Sequence, residues 1–112
     1  MKISLLITFF IILLTATNGF CEYVWKPDMT IKRVQAQSTG GFIIYGPVGA
    51  DPLCAENGSL FYVEAGHNGQ TVDGVKSNLA IVLTAFLNNK PIIFAYDNSN
   101  SYCYVGTVIV SQ

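Results

Sequence analysis

Three kinds of hydrophobic pattern divide this chain of 112 residues. The first is an almost unbroken apolar run over residues 3–16, which follows Lys2 and gives way to Thr17, Asn18 and Gly19. A cationic start, an apolar centre and a small-residue exit are the build of a secretory signal peptide, so residues 1–21 are expected to be a leader. The run stops short of the ~20 apolar residues that cross a hydrocarbon core, which disfavours a membrane span. The second pattern is short and β-like. Residues 29–37 alternate with a phase slip near Lys32 and Arg33, where a bulge is expected, and Ile31, Val34 and Ala36 mark the inward face. After the turn residues Ser38, Thr39, Gly40 and Gly41 come Phe42, Ile43, Ile44 and Tyr45, which complete a hairpin. Gly46, Pro47, Gly49 and Pro52 break regular structure, Asn57 and Gly58 turn the chain, and residues 60–64 form a third strand.

The third pattern has a period of three to four. Val75, Leu79, Val82 and Phe86 form a stripe that Leu83 and Leu87 widen, predicting a helix over residues 73–89 buried on much of its circumference, with Asp73 as N-cap. Pro91 forbids its continuation. Residues 91–96 and 102–110 are two further strands around the polar turn Asp97, Asn98, Ser99, Asn100 and Ser101. Three strands, one helix and two strands is the order of a small five-stranded OB-fold-like barrel, with the helix between strands 3 and 4. The competing arrangement is an open α+β sandwich in which the helix lies on one face of an antiparallel sheet. Residues 22–112 suffice for one domain of this kind.

Cleavage position changes the cysteine count. A cut after Cys21 places Gly19 and Cys21 at the two positions that must be small and leaves Cys54 and Cys103 as the remaining pair. A cut after Gly19 is allowed by size but leaves an odd thiol in an oxidising compartment. Bulky Phe20 before Cys21 argues against a lipid anchor there. With His67 as the single histidine, Cys54 and Cys103 fall short of a four-ligand zinc site, and no Cys-x-x-Cys spacing lowers a thiol pKa. A disulfide between Cys54 and Cys103 is therefore the favoured reading, suited to a secreted or periplasmic protein. A small core gains from such a brace.

Charge is sparse, with a formal net charge of −1. Beyond the leader, Lys26, Lys32, Arg33, Lys76 and Lys90 are dispersed, too few for nucleic-acid binding or for docking on anionic lipid. Neutral partners, a sugar or another protein, suit such a surface better. Trp25 and Tyr102 lie in segments expected to be exposed and are the candidate ligand-binding residues, because an aromatic face packs on the apolar side of a pyranose. His67, with Glu64 and Asp73 nearby in sequence, has no accompanying nucleophile in its loop, and no triad, metal site or phosphate loop is recognisable. No catalytic residue, metal or cofactor is therefore expected. Asn57-Gly58-Ser59 matches a glycosylation acceptor, a pattern that also arises by chance.

The early hairpin, Cys54 ahead of the third strand, the apolar helix ending in Asn88-Asn89-Lys90, and Cys103 before the last strand together resemble a known group. They are similar to the receptor-binding B subunits of bacterial A-plus-five-B toxins, and among these to the subtilase-cytotoxin-B-like secreted proteins. The resemblance covers roughly residues 29–110 and rests on element order, cysteine placement and the segment 76–91 rather than on a catalytic signature. It implies an OB-fold protomer, a homo-pentameric ring whose centre is lined by the helix, and recognition of cell-surface glycans by a shallow polar and aromatic pocket. It carries no sugar-contacting residue onto a numbered position here. The competing function is that of a periplasmic or secreted inhibitor or accessory protein, which predicts a monomer bound to one protein partner.

Overall fold

The computed structural model describes residues 23–110; the predicted leader, its cleavage site and Cys21 lie outside them. The elements are β1 (Tyr23–Met29), β2 (Arg33–Ala36), β3 (Phe42–Tyr45), a single distorted turn α1 (Ala55–Gly58), β4 (Leu60–Val63), α2 (Val72–Leu87), β5 (Ile92–Asp97) and β6 (Tyr104–Val110). The six strands form one sheet in the order β1-β5-β6-β4-β3-β2, with one helix of several turns and one disulfide. All pairings are antiparallel except β4 with β6.

This corrects the five-stranded count. The expected strand over residues 29–37 shrinks to Arg33–Ala36, and the segment ahead of it is a full strand of its own. Pro27 hides β1 from a pattern reading, because proline cannot donate to a ladder and is confined to strand edges and bulges. The β1–β5 register indeed slips between Lys26 and Met29. The sheet is likewise not the wholly antiparallel one of the α+β alternative, since Tyr62 on β4 pairs in parallel with Tyr104 on β6.

Period-two alternation builds the core. Phe42 and Ile44 of β3, Phe61 and Val63 of β4, and Ile92, Phe94 and Tyr96 of β5 point inward, and Val75, Val82 and Ala85 of α2 close over them. Phe61 meets Phe94 and Tyr96 edge-on, with centroids 4.8 and 5.1 Å apart.

The helix begins and faces differently from expectation. Thr71, not Asp73, is the N-cap, its Oγ1 accepting from the Gly74 amide, while Asp73 sits in the first turn where its charge suits the helix dipole. Leu83 and Leu87 point to solvent, Leu87 being 76% exposed, so burial is confined to one stripe. A sheet offers a helix a single surface to pack on, which sequence periodicity does not measure.

The Cys54–Cys103 disulfide is formed, with Cα atoms 5.6 Å apart. It ties the loop before β4 to the residue ahead of β6. That loop is held further by Asp51, whose Oδ1 accepts from the Leu53 amide at 3.0 Å and whose Oδ2 accepts from the Tyr96 hydroxyl at 2.5 Å and from Asn98 Nδ2 at 3.3 Å. Burial raises the pKa of the Asp51 carboxyl, but these hydrogen bonds and the nearby Lys26 ammonium outweigh it and hold the group below its ordinary value. Burial and the Asp51 charge push the Tyr96 hydroxyl well above its usual range.

A group held below its unfolded value stabilises the fold above the ordinary carboxyl range, and that contribution is lost as pH falls through the folded-state value. Asp51→Asn is therefore expected to cost about 2 kcal/mol near neutrality, where a charge-assisted bond to a buried hydroxyl is lost. The difference from the parent protein should shrink as pH drops below about 4. Urea melts of both proteins across that range check it, and a gap independent of pH would assign the loss to shape rather than charge.

Candidate functional site

The outward positions of β4 and β6 carry tyrosines. Tyr62 lies between inward-facing Phe61 and Val63, and Tyr104 pairs with it across the parallel seam. Tyr102 and Tyr104 flank buried Cys103 and stack with centroids 5.5 Å apart and planes 21° from parallel. His67 continues the stack on Tyr104 at 4.0 Å and 8°. Tyr62 stands edge-on to both tyrosines, 5.4 Å from Tyr102 and 6.4 Å from Tyr104. Three near-parallel rings thus form a ladder with a fourth ring as its brace.

Local chain geometry explains why the ladder forms. β6 pairs with β5 but skips Gly106, since Tyr96 pairs with Val105 and Ala95 with Thr107. A glycine within a strand commonly marks such a bulge. Side-chain amides reach the carbonyls around it: Gln70 Nε2 donates to Val105 and Gly106, and Asn68 Nδ2 donates to Tyr104 at 2.8 Å. Asn78 on α2 in turn donates to Gln70 Oε1, so helix, loop and strand are locked together. This clasp holds the loop against β6 and lays His67 on Tyr104. The other end of the ladder is set by the turn before β6, where the Tyr102 amide donates to Asn100 Oδ1 and the Tyr62 amide to the Tyr102 carbonyl.

Burial raises the pKa of Tyr62, with smaller contributions from Tyr45, Tyr102 and Glu56, and does the same for Tyr104 with Glu64, Tyr102 and Tyr62. The Tyr62 and Tyr104 phenols therefore stay protonated at neutral pH and can donate as well as accept. Glu64 approaches His67 to 4.0 Å. On the neighbouring strands Arg33 lies over the Tyr45 ring, 4.0 Å from its centroid, and the Tyr45 hydroxyl donates to Gln35 Oε1. Within the ladder Tyr102 is half-exposed, bordered by hydroxyls, amides and a few charges.

Of the two expected ligand residues, Tyr102 belongs to this ladder and Trp25 does not. Trp25 is half-exposed on β1, where its ring contact is with Tyr23 in an edge-on pair at 6.3 Å. The structure thus places the two in separate ring clusters. The sequence alone singles out neither Tyr62 nor Tyr104, and it gives His67 no chemical partner. The usable signal was the two-residue spacing of Tyr102 and Tyr104 around an inward cysteine. The position of His67 depends on Asn68 reaching a strand distant in sequence. Asn57 is exposed with a positive φ, and Ser59 is buried with its hydroxyl on the Glu56 carbonyl.

Among the described residues no group of three or more histidine, cysteine or acidic side chains gathers as metal ligands would, and no helix is long and apolar enough to cross a membrane. No family model matches the sequence, and a search of curated proteins finds no match to it.

Proposed function

We propose that this protein is an exported, non-catalytic binding domain of the toxin B-subunit type, with the Tyr62, Tyr102, Tyr104 and His67 ladder as a platform for a sugar ring of a cell-surface glycan. The observation that carries this reading is the free face of Tyr102, 51% exposed and held rigid by stacking on Tyr104. A pre-ordered aromatic face loses little entropy on meeting the apolar side of a pyranose, and the phenols beside it suit the sugar's hydroxyls.

Two features support the finer parts of the reading. β1 and β2 lie at opposite edges of the sheet yet are separated in the chain by residues 30–32 alone. A sheet whose two edges are joined so closely must curl through most of a turn, and with β1 and β2 taken as halves of one bent strand its winding is that of an OB-like barrel. One flank of α2 and the end of β6 expose Ile81 and Ile109, and the other flank of α2 exposes Leu83 and Leu87, apolar surface of the kind that assembly into a homo-pentameric ring covers. The disulfide fits an exported protein, in a secreted or periplasmic setting.

Exposed Val48 and Leu53 in the loop before the disulfide favour a second reading, a monomeric inhibitor or accessory protein that presents this loop to one protein partner.

Light scattering of the oxidised protein with a glycan array tests the choice. A pentamer that binds glycans is expected, with Tyr102→Ala weakening binding about tenfold per site, the worth of one aromatic contact. Trp25→Ala should leave binding unchanged. Weak single-site binding would be multiplied by the ring, so the comparison is made per site. A monomer without glycan binding overturns the reading in favour of a protein partner.

A further inference from the structure

We propose that the Cys54–Cys103 disulfide is the positioning element of the aromatic ladder, so that ligand capture at Tyr102 depends on the oxidised state of a bond that touches no ligand. Only this functional consequence rests on the platform reading above; the positioning itself is a property of the fold.

Cys103 adopts a left-handed backbone conformation at φ +46°, a region that residues with a Cβ seldom occupy. It persists where the surroundings over-determine it. Here the buried cysteine side chain is bound to Cys54, and the Cys103 amide donates to the Asn100 carbonyl. Tyr102 and Tyr104 are its immediate neighbours, and the direction each ring takes depends on the dihedrals at 103. The two rings stack on the outer surface while the Cys103 side chain packs in the core. The Cys54 side is anchored by its amide, which donates to the Asp51 carbonyl, and the Ala55 amide donates to the Ser101 carbonyl, a backbone tie between the two segments beside the sulfur bond. One sulfur bond thus joins a fixed loop to the residue that aims two of the ladder's three stacked rings.

Reduction by a dithiol breaks the sulfur–sulfur bond. Two electrons and two protons pass to Cys54 and Cys103, giving two thiols, and the reductant leaves as its own cyclic disulfide. Cys103 is then released to the right-handed or extended conformations that L-residues prefer, Tyr102 swings away from Tyr104, and the ladder loses its free face. His67 keeps its place on Tyr104, because Asn68 and Gln70 hold that loop without help from sulfur.

The near-ultraviolet circular dichroism of stacked tyrosines reads the ladder without any ligand, and Tyr102→Leu defines the part of the signal that the ladder contributes. Measurements are made in a stabilising osmolyte with far-ultraviolet dichroism as the check on folding. Dithiol reduction, or Cys54→Ala with Cys103→Ala, is expected to remove at least half of that part while the far-ultraviolet spectrum is retained. Cys54→Ala with Cys103→Gly is expected to recover most of the loss, because glycine accepts positive φ without the bond. An unchanged ladder signal after reduction overturns the proposal, as does its loss together with the far-ultraviolet spectrum, or a glycine variant no better than alanine. A protein that captures no glycan in any state but shows the expected spectra retires the platform reading and leaves this one standing.

Discussion

Replacing both Cys54 and Cys103 by serine is expected to lower the stability of the domain by about 4 kcal/mol and its melting temperature by roughly 20 °C. The bond closes a segment with a sequence separation of 49, and opening it returns that loop-closure entropy to the unfolded chain. The native side of the balance adds to the loss, since each sulfur packs in the core and serine brings a hydroxyl there with no partner waiting. Small domains bury a modest fraction of their surface and total stabilities of 5–15 kcal/mol are usual, so the variant should sit close to its folding threshold at physiological temperature. Guanidinium melts of the oxidised protein and the double variant measure the gap. A difference under about 1 kcal/mol would mean that the unfolded chain is already compact around these positions.

Phe61→Ala is expected to cost about 4 kcal/mol, matching the disulfide by a different route. Phe61 is fully buried and makes edge-on contacts with both Phe94 and Tyr96, so truncation opens a cavity that two strands must collapse to fill. Both rings sit on β5 and cannot move inward without breaking its pairing with β1 and β6, so collapse is limited. Phe61→Leu keeps most of the volume and should cost about 1.5 kcal/mol. Leu87→Ala is the control, exposed on the outer side of α2 and expected to change stability by less than about 0.5 kcal/mol in the isolated protomer. Chemical denaturation of the three variants checks the order. Because Phe61 and Tyr62 point to opposite faces of β4, Phe61→Ala should destabilise the domain while leaving the ladder's geometry intact below the transition.

The legible parts of this fold were those where one strong local signal met no rival. The helix is one: Val75, Leu79, Val82 and Phe86 recur at helical spacing, and all four pack in or against the core. The β3 and β4 strands are another, since each is a short apolar run rich in β-branched and aromatic residues and bounded by turn residues. β1 was missed because Pro27 and Asp28 look like loop residues, and only pairing with β5 makes that stretch a strand. The start of β6 was misplaced by two residues, since Tyr102 and Cys103 have strand-like composition whereas the φ of Cys103 is a tertiary outcome. Tyr102 was legible as an exposed aromatic; the stack that gives it a role was not, because Tyr62, His67 and Tyr104 come from separate parts of the chain.

What the sequence by itself determined is the inventory: a small β-rich domain with one amphipathic helix, two cysteines beyond the apolar N-terminal run suited to a bridge, and a composition poor in charge. These follow from periodicity and composition, which are local properties that each residue carries wherever the chain goes. The tertiary structure decided the rest. It added a strand ahead of the expected first one and placed the two at opposite sheet edges, made Thr71 rather than Asp73 the helix cap, turned Leu83 and Leu87 outward, and separated Trp25 from Tyr102. Each of these depends on which distant backbone groups are left unpaired and which faces a single sheet can cover, and those quantities exist only once the strands have met.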